Sequence, residues 1–344
     1  MAGNGGGSSR VFDLRSGFSE LHGAIEGLGL DMTPALGDIL RTMEVMSATT
    51  AMLEAGYVDP DYRDEYVHYY AFTYRPLQTR CERLHFFRKR SDEDQYLGFC
   101  VLRPIRDHPV CRSVIVPPDE LENYVSCTVS TTLHPMGKRL KVRGFPFMEQ
   151  DSQYGRCAHA SIWMVALYHH LQHGKPRRLV SDITRGAAMR SELRRSAPSE
   201  GLSVSQIGAA LQHLGLDPIA YSTKGLEERN SSISAAACRY LNSGMPVIVA
   251  TQGHATVLIG YGRDTNGNVF FVRSDESRGP YQWFYKDEDR WANGSSCSLR
   301  TPARSTSVPK RLTCPGATSS GSSCGNAKRI RAPIWVRACV CVRT

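Results

Sequence analysis

A cysteine that begins a helix is the first residue of this sequence with the potential for chemistry. Cys157 follows the turn-forming residues Tyr154 to Arg156 and opens a segment with helical apolar spacing. The first backbone N–H groups of a helix lack intrahelical partners, and with the helix dipole they favour the thiolate, the nucleophilic form of cysteine. A cysteine alone is more often an inert packing residue, so a catalytic interpretation requires partners.

Two glutamines upstream of Cys157 are candidates for one such partner. Gln150 lies seven residues before the cysteine and Gln153 lies four residues before it. Acyl transfer requires hydrogen-bond donors directed at the developing oxyanion, and a side-chain amide combined with the N–H of the nucleophile can supply them. The sequence leaves the choice between the two glutamines open.

A histidine that opens a strand supplies the base. His254 begins the run HATVLIGYG, and the run NVFFVRSD follows after a turn rich in Asp, Asn and Gly. If this hairpin is centred near residues 265 and 266, position 254 faces approximately position 277, so Asp275, Glu276 or Ser277 comes close to His254. Because Asp275 directly follows the strand, we predict that it orients the imidazole.

These stretches resemble the papain-like cysteine peptidases, and among them the C39-like peptidases that process bacterial leader peptides. HATVLIGYG is similar to the family's stretch around its catalytic histidine. Gln150 followed by the run CAHAS resembles the head of the central helix, and GLSVSQIGAALQHLGL is similar to a helix between the cysteine and the histidine. The resemblance covers residues 145–281.

The resemblance implies an α+β, papain-like fold in which a central helix packs on an antiparallel sheet. It implies a cysteine peptidase, or a related thiol acyl-hydrolase, with Cys157, His254 and Asp275 as the catalytic residues. Gln150, or alternatively Gln153, would hold the oxyanion. The expected substrate is a peptide or protein, and no metal or organic cofactor is expected.

The sequence also departs from this family pattern. The family glutamine usually lies about six residues before the cysteine, and the residue after the cysteine is Ala158 where glycine is familiar. The 21 residues from His254 to Asp275 are a few more than usual, and a hairpin loop can absorb them. An inactive peptide-binding or scaffolding protein on the same fold is therefore the alternative.

The surrounding elements divide the chain into four predicted parts. Residues 1–10 are a Gly- and Ser-rich flexible N-terminus. Residues 11–144 contain two helices and then a mostly β region of five or six strands that starts with the run YVHYYAFTY. Residues 145–290 are the peptidase-like domain, with a helix from Cys157 to His173, a capping box at Ser203, and strands in the runs PVIVAT, HATVLIGYG and NVFFVRSD.

The fourth part, residues 291–344, carries all of the excess positive charge. It contains nine Lys or Arg and no Asp or Glu, so residues 1–290 hold 33 basic and 33 acidic residues and the net charge of +9 belongs to this segment. It also contains five of the eleven cysteines and shows no apolar period. Two hypotheses remain open, a disordered basic tail and the product of a shifted reading frame. Nucleic-acid binding is not expected except through this tail.

Other features exclude further classes of function. The apolar runs are too short for a membrane span, and no apolar signal region follows the N-terminus, so we expect a cytoplasmic protein without membrane contact. No zinc-type Cys/His spacing occurs in residues 1–290. His159 is expected to pack, and the group His169, His170 and His173 is expected to cap the end of its helix and not to bind metal.

Overall fold

The computed structural model describes residues 9–74, 77–89, 95–189, 201–221, 232–251, 253–285 and 336–343. Within these residues the protein is a mixed α/β structure with three antiparallel sheets and seven α-helices. None of the helices in these ranges combines the length and apolar character needed to cross a bilayer.

The first sheet has five strands that follow one another in chain order. They are β1 (Ser9–Asp13), β2 (Thr50–Tyr57), β3 (Cys81–Phe87), β4 (Tyr96–Leu102) and β5 (Val110–Ile115). Two helices connect β1 to β2, namely α1 (Ser19–Gly27) and α2 (Pro34–Val45). The apolar spacing of the sequence predicted both helices, and this prediction is confirmed because the spaced residues, such as Leu21 and Ile39, are fully buried.

The predicted strand in the run YVHYYAFTY is wrong. A third helix, α3 (Pro60–His68), extends into this run, and a 3-10 helix at Tyr70–Phe72 follows it. The side chain of Asp59 caps α3 by accepting hydrogen bonds from the backbone N–H groups of Asp61 and Tyr62, and Pro60 takes the first helical position. This strong helix start overrides the β preference of the aromatic residues.

A small sheet joins the first sheet to the remainder of the chain. It consists of β6 (Val129–Leu133) and β7 (Leu140–Gly144). Just before it, Val125 forms an isolated bridge with Gly260 of the C-terminal half. A Cβ at position 260 would lie 1.9 Å from the carbonyl oxygen of Tyr124, so only glycine permits this close approach of two backbones.

The C-terminal half combines four helices with a six-stranded sheet. The helices are α4 (Cys157–His173), α5 (Val180–Ala188), α6 (Val204–His213) and α7 (Ile233–Asn242). The strands are β8 (Asp217–Tyr221), β9 (Val247–Thr251), β10 (His254–Arg263), β11 (Val269–Asp275), β12 (Gly279–Tyr285) and β13 (Val336–Arg343), in the spatial order β12-β11-β10-β9-β13-β8 with all neighbours antiparallel.

Helix α4 is the central element of this half. It packs on β10 and β9 of the sheet and on helices α5 and α6, and nearly all of its side chains are buried. It ends where predicted, at Gly174 with a left-handed φ of 65°. The predicted capping box at Ser203 and the strands β9, β10 and β11 are confirmed as well.

The sequence predicted no strand in residues 291–344, and here the structure differs. Residues 336–343 form β13, which lies between β9 and β8 in the interior of the sheet. Val340 and Cys341 of this strand are buried. The prediction of disorder is therefore wrong for these eight residues, the shifted reading frame stays a hypothesis, and residues 291–335 lie outside the described residues.

Candidate active site

Cys157 is the first residue of α4, and the loop before it is organised by one carboxylate. The Oδ1 atom of Asp151 accepts hydrogen bonds from the backbone N–H groups of Gln153 (3.0 Å) and Gly155 (2.6 Å). The backbone N–H of Asp151 in turn donates to the carbonyl of Gly155. This tight turn, with Ser152 at a φ of 59°, delivers the chain into the helix so that Cys157 is half-buried at its N-terminus.

Two residues of the N-terminal region also fix the backbone of this loop. The hydroxyl of Tyr70 donates a 2.7 Å hydrogen bond to Oδ2 of Asp151. The guanidinium of Arg103, at the end of β4, donates a 2.7 Å hydrogen bond to the carbonyl of Glu149. Gln150 lies between these two anchored residues, so residues far upstream in the sequence fix the backbone of the proposed oxyanion loop.

Two contacts fix α4 relative to the strands that carry the other site residues. The hydroxyl of Ser161, one turn beyond Cys157, donates to the carbonyl of Ala255, the residue after His254. The hydroxyl of Ser274 on β11 contacts the sulfur of Met164 at 3.3 Å. The N-terminal end of α4 therefore faces the start of β10 and the end of β11.

The pairing of β10 with β11 agrees with the register predicted from the sequence. Val257 pairs with Ser274, and the same register places position 254 opposite position 277. A bulge between Leu258 and Gly260 accommodates the extra length of the hairpin. His254 consequently lies beside the turn that connects β11 to β12.

The predicted contact between His254 and Asp275 is present. The Nε2 atom of His254 donates to Oδ1 of Asp275 at 3.2 Å, and that oxygen also accepts from the N–H (3.2 Å) and the hydroxyl (2.9 Å) of Ser277. The guanidinium of Arg273 lies 3.3 Å from Oδ2. Although Asp275 is buried, which opposes its ionisation, these partners lower its pKa to about 2.

The ring of His254 also lies beside the cysteine. Cys157, His254 and Glu276 each offer a donor atom, and these atoms all lie within 4.8 Å of one another. Burial of the imidazole opposes its protonation, but the hydrogen bonds with Asp275 and Cys157 raise the pKa of His254 to about 10. A charged imidazolium beside a sulfur atom is the arrangement that supports a reactive thiolate.

Glu276 is the residue of this group that sequence reasoning did not select. Its side chain is fully buried, and Oε1 lies 3.4 Å from Nδ1 of His254. No group among the described residues donates a hydrogen bond of normal geometry to either carboxylate oxygen. Burial raises the pKa of Glu276 to about 8, although His254 and the backbone of Gln150 favour the charged form. The register predicted from the sequence brings Glu276 near His254 but contains no sign that its side chain turns inward.

The two candidate oxyanion glutamines occupy different surroundings. The backbone of Gln150 lies against Glu276 and is partly buried, whereas Gln153 is exposed and its side-chain oxygen accepts a hydrogen bond from Tyr69 at 3.3 Å. Gln150 therefore lies nearer to the group formed by Cys157, His254 and Glu276.

Among the remaining histidines of α4, His159 packs as predicted, whereas His169 is fully buried and burial lowers its pKa to about 4, so the prediction that it caps the helix end as a cation is wrong. His159 is buried, its Nδ1 atom lies 3.4 Å from the backbone N–H of Arg156, and burial lowers its pKa to about 4. The rings of His169 and His173 stack with their centroids 5.3 Å apart, and His170 contacts the carbonyl of Lys175.

Comparison with known proteins gives little further information. No protein-family model and no curated protein matches the chain. The crystal structure of UfSP from C. elegans is similar over 38% of this chain and 26% of that chain, with 20% identity and a TM-score of 0.28. The chain thus spans about a quarter of that protein, and the functional argument depends on the geometry of the site.

Proposed function

We propose that the protein is a cysteine-dependent acyl hydrolase that cleaves a peptide or isopeptide bond, with Cys157 as nucleophile, His254 as acid and base, and Asp275 as the residue that orients the imidazole. The sequence resemblance to papain-like, C39-like cysteine peptidases supports the finer assignment to a peptidase. Peptides and proteins are therefore the proposed substrates.

One observation carries the proposal. The imidazole of His254 is held through Nε2 by the buried carboxylate of Asp275, and the ring lies beside Cys157 at the start of a helix. This arrangement fixes the tautomer and leaves Nδ1 available to exchange a proton with the sulfur. A cysteine that only packs in the core would not require an oriented histidine beside it.

The first half of the proposed reaction forms an acyl-enzyme. The Cys157 thiolate attacks the substrate carbonyl carbon, and the carbonyl oxygen becomes an oxyanion held by the Cys157 N–H and the Gln150 side-chain amide. As the tetrahedral intermediate collapses, the carbon–nitrogen bond breaks and His254 gives its Nδ1 proton to the leaving amine. A thioester on Cys157 and a neutral His254 remain.

The second half of the reaction releases the acyl group. His254 takes a proton from a water molecule, and the resulting hydroxide attacks the thioester carbon. The carbon–sulfur bond then breaks, which yields a carboxylic acid and restores the thiolate beside the imidazolium. Asp275 keeps the ring in the same orientation through both halves.

The acyl-enzyme can be tested without knowledge of the natural substrate. The full chain is treated with p-nitrophenyl acetate in the presence of a chelator, and released p-nitrophenolate, intact mass and peptide maps are followed. We expect one acetyl group on Cys157, none in Cys157→Ala, and an acetyl group that is retained longer in His254→Ala because deacylation needs the base.

Cys238→Ala is the matched control, since Cys238 is also a half-buried thiol but lies on α7. This variant should acylate like the unchanged protein. Acetylation spread over several cysteines, or equal acetylation in Cys157→Ala, would show that Cys157 is not a nucleophile and would leave the inactive peptide-binding alternative.

A further inference from the structure

We propose that Cys157, His254 and Glu276 form a binding site for a divalent transition-metal cation, with Zn²⁺ as the best fit, and that the bound ion holds the hydrolase inactive. The binding site is argued from the donor groups alone. Its inhibitory effect rests on the proposed function.

The donor atoms are already close to the spacing that a tetrahedral ion needs. Zinc bonds to sulfur, nitrogen and oxygen imply donor separations of about 3.3–3.6 Å in a tetrahedral site. The Nδ1 atom of His254 lies 3.4 Å from Oε1 of Glu276, and the sulfur of Cys157 completes a group whose members all lie within 4.8 Å.

The environment of His254 prepares Nδ1 as a ligand. The proton on Nε2 is directed at Asp275, so in the neutral ring the lone pair is on Nδ1, which lies 3.4 Å from Oε1 of Glu276. Asp275 is itself held by Ser277 and Arg273. A carboxylate behind a ligating histidine is the usual second layer of a zinc site, because it fixes the ring and raises its basicity.

Glu276 is the observation that points to a cation. Buried carboxylates normally accept hydrogen bonds or pair with a positive group. The side chain of Glu276 has no exposed surface, and within the described ranges neither of its oxygens accepts a hydrogen bond of normal geometry; Oε1 has the His254 ring at 3.4 Å, and the backbone of Gln150 also favours the charged carboxylate. Proteolysis through Cys157 and His254 does not require this carboxylate, whereas a metal ion between the three side chains would satisfy it.

The types of donor select the ion. A thiolate, an imidazole and a carboxylate suit zinc, while calcium and magnesium prefer sites made only of oxygen donors. Three protein ligands leave one tetrahedral position for water. Binding would release the Nδ1 proton of His254 to solvent and engage both the sulfur and Nδ1, the two atoms that the proposed hydrolysis needs free.

Zinc binding to the full chain is measured by competition with a chromophoric chelator after metals are stripped with EDTA. We expect one zinc ion per chain whose affinity falls at least about tenfold in Cys157→Ala, His254→Ala and Glu276→Gln, and about 10–100-fold in Asp275→Asn through the loss of second-layer support. Magnesium is not expected to compete. Cobalt should give a thiolate charge-transfer band that is lost in Cys157→Ala.

Two control variants separate this site from the other thiols and acids of the chain. Cys238→Ala removes a half-buried thiol elsewhere, and Glu82→Gln removes a partly buried carboxylate on β3. Both should bind zinc like the unchanged protein. Zinc bound with the same affinity in Cys157→Ala and Glu276→Gln, or no zinc bound at all, would overturn the proposal.

The acetylation assay keeps the two proposals distinguishable. Zinc at saturating concentration should prevent acetylation of Cys157, and EDTA should restore it. If Cys157 is acetylated in EDTA and zinc does not change this acetylation, the metal site is refuted and the proposed hydrolase stands. A zinc ion that depends on all three residues, in a protein whose Cys157 never acylates in EDTA, would refute the hydrolase and its inhibition while the binding site stands.

Discussion

Two regions of the molecule each bury neighbouring carboxylates, and the two regions differ in the partners that these carboxylates have. Helix α3 places three acidic side chains in the interior between the first sheet and helices α4 and α5. The turn after β11 places Asp275 and Glu276 in the interior beside Cys157. All five side chains are almost completely buried, so burial alone does not distinguish the two regions.

The carboxylates of α3 are matched with partners from several elements. Asp61 accepts from the indole of Trp163 and from Arg177, and Asp64 accepts from the backbone and the hydroxyl of Ser181. Glu65 forms two hydrogen bonds with the guanidinium of Arg103, at 3.1 and 2.9 Å. These contacts tie the N-terminal region to the C-terminal half.

The last residue of β11 and the first residue after it have different roles. Asp275 has partners on both oxygens and orients His254, while Glu276 has the ring of His254 beside Oε1 and the backbone of Gln150 nearby, without a hydrogen bond of normal geometry in the described ranges. The contrast indicates that buried carboxylates with charged or hydrogen-bonding partners stabilise this fold. Glu276, which lacks a hydrogen bond of normal geometry in the described ranges, marks a position where a ligand can bind.

The N-terminal region also acquires a role through this comparison. No function could be predicted for residues 11–144 from their sequence, yet Arg103 connects Glu65 of α3 to the carbonyl of Glu149, next to Gln150. The matched charges therefore support the loop before Cys157, and changes in them should affect stability first and the site second.

The largest effect on stability is expected from Arg103→Met. This change leaves Glu65 buried without its charge partner, which costs about 3–5 kcal/mol in comparable buried pairs. Denaturant unfolding followed by circular dichroism measures the free energy of unfolding. Arg106→Gln, on an exposed arginine paired with Asp31, should cause no measurable loss, and equal losses in the two variants would contradict the role of the matched charges.

Asp38 on α2 is a further buried carboxylate, and it makes the stability of the protein depend on pH. Burial raises its pKa to about 6, and its carboxylate packs directly against Gly279 at the start of β12. Because the folded-state pKa is above the unfolded value, the wild-type protein loses stability as pH rises from about 4 through 6. Asp38→Asn should therefore unfold like wild type near pH 4 and gain about 1–3 kcal/mol relative to it at pH 7. An equal difference at both pH values would show that Asp38 does not titrate in this way.

Tyr70→Phe tests the support of the loop. It removes the hydrogen bond to Asp151, at a cost of about 1–2 kcal/mol, and should slow acetylation of Cys157 several-fold because the loop loses an anchor. Tyr62→Phe is the matched control, since the Tyr62 hydroxyl donates to the carbonyl of Gln78 at the same distance of 2.7 Å. The control should lose stability but acetylate normally. Identical acetylation kinetics in both variants would show that the hydrogen bond from Tyr70 to the loop does not affect the reactivity of Cys157.

The smallest loss of stability is expected from Glu276→Gln. Because burial raises the pKa of Glu276 to about 8, keeping this carboxylate buried costs stability at pH 7, and the neutral amide should leave the free energy of unfolding unchanged or raise it by about 1–3 kcal/mol. Glu65→Gln, the same change on α3, should cost clearly more. If the two variants are equally destabilised in denaturant unfolding, Glu276 is a structural residue like those of α3.

The sequence predicted the elements whose signals are local. Helix α4 is recognisable from its apolar residues and Gly174, and the β10–β11 hairpin from its turn, so the approach of Asp275 to His254 could be predicted from a short stretch of the chain. The proximity of Cys157 to this pair was expected only from the resemblance to papain-like peptidases. Contacts between distant residues could not be predicted. The bond from Tyr70 to Asp151 spans 81 positions, and nothing near either residue indicates it.

The inward orientation of Glu276 and the strand β13 also escaped prediction, for different reasons. Glu276 follows Asp275 in a turn whose geometry depends on Gly279, with a φ of 132°, packing against Asp38. The position of strand β13 between β9 and β8 depends on pairing with strands far earlier in the chain. Local composition contains neither fact.

The alkylation rate of Cys157 tests the central claim most directly. Iodoacetamide is applied near neutral pH to the full chain in EDTA, and the rate at each cysteine is followed by peptide mapping in wild type and His254→Ala. We expect Cys157 to react at least about tenfold faster than Cys238, and this advantage to disappear in His254→Ala because the imidazolium no longer supports the thiolate. An equal Cys157 rate in both proteins would contradict the account.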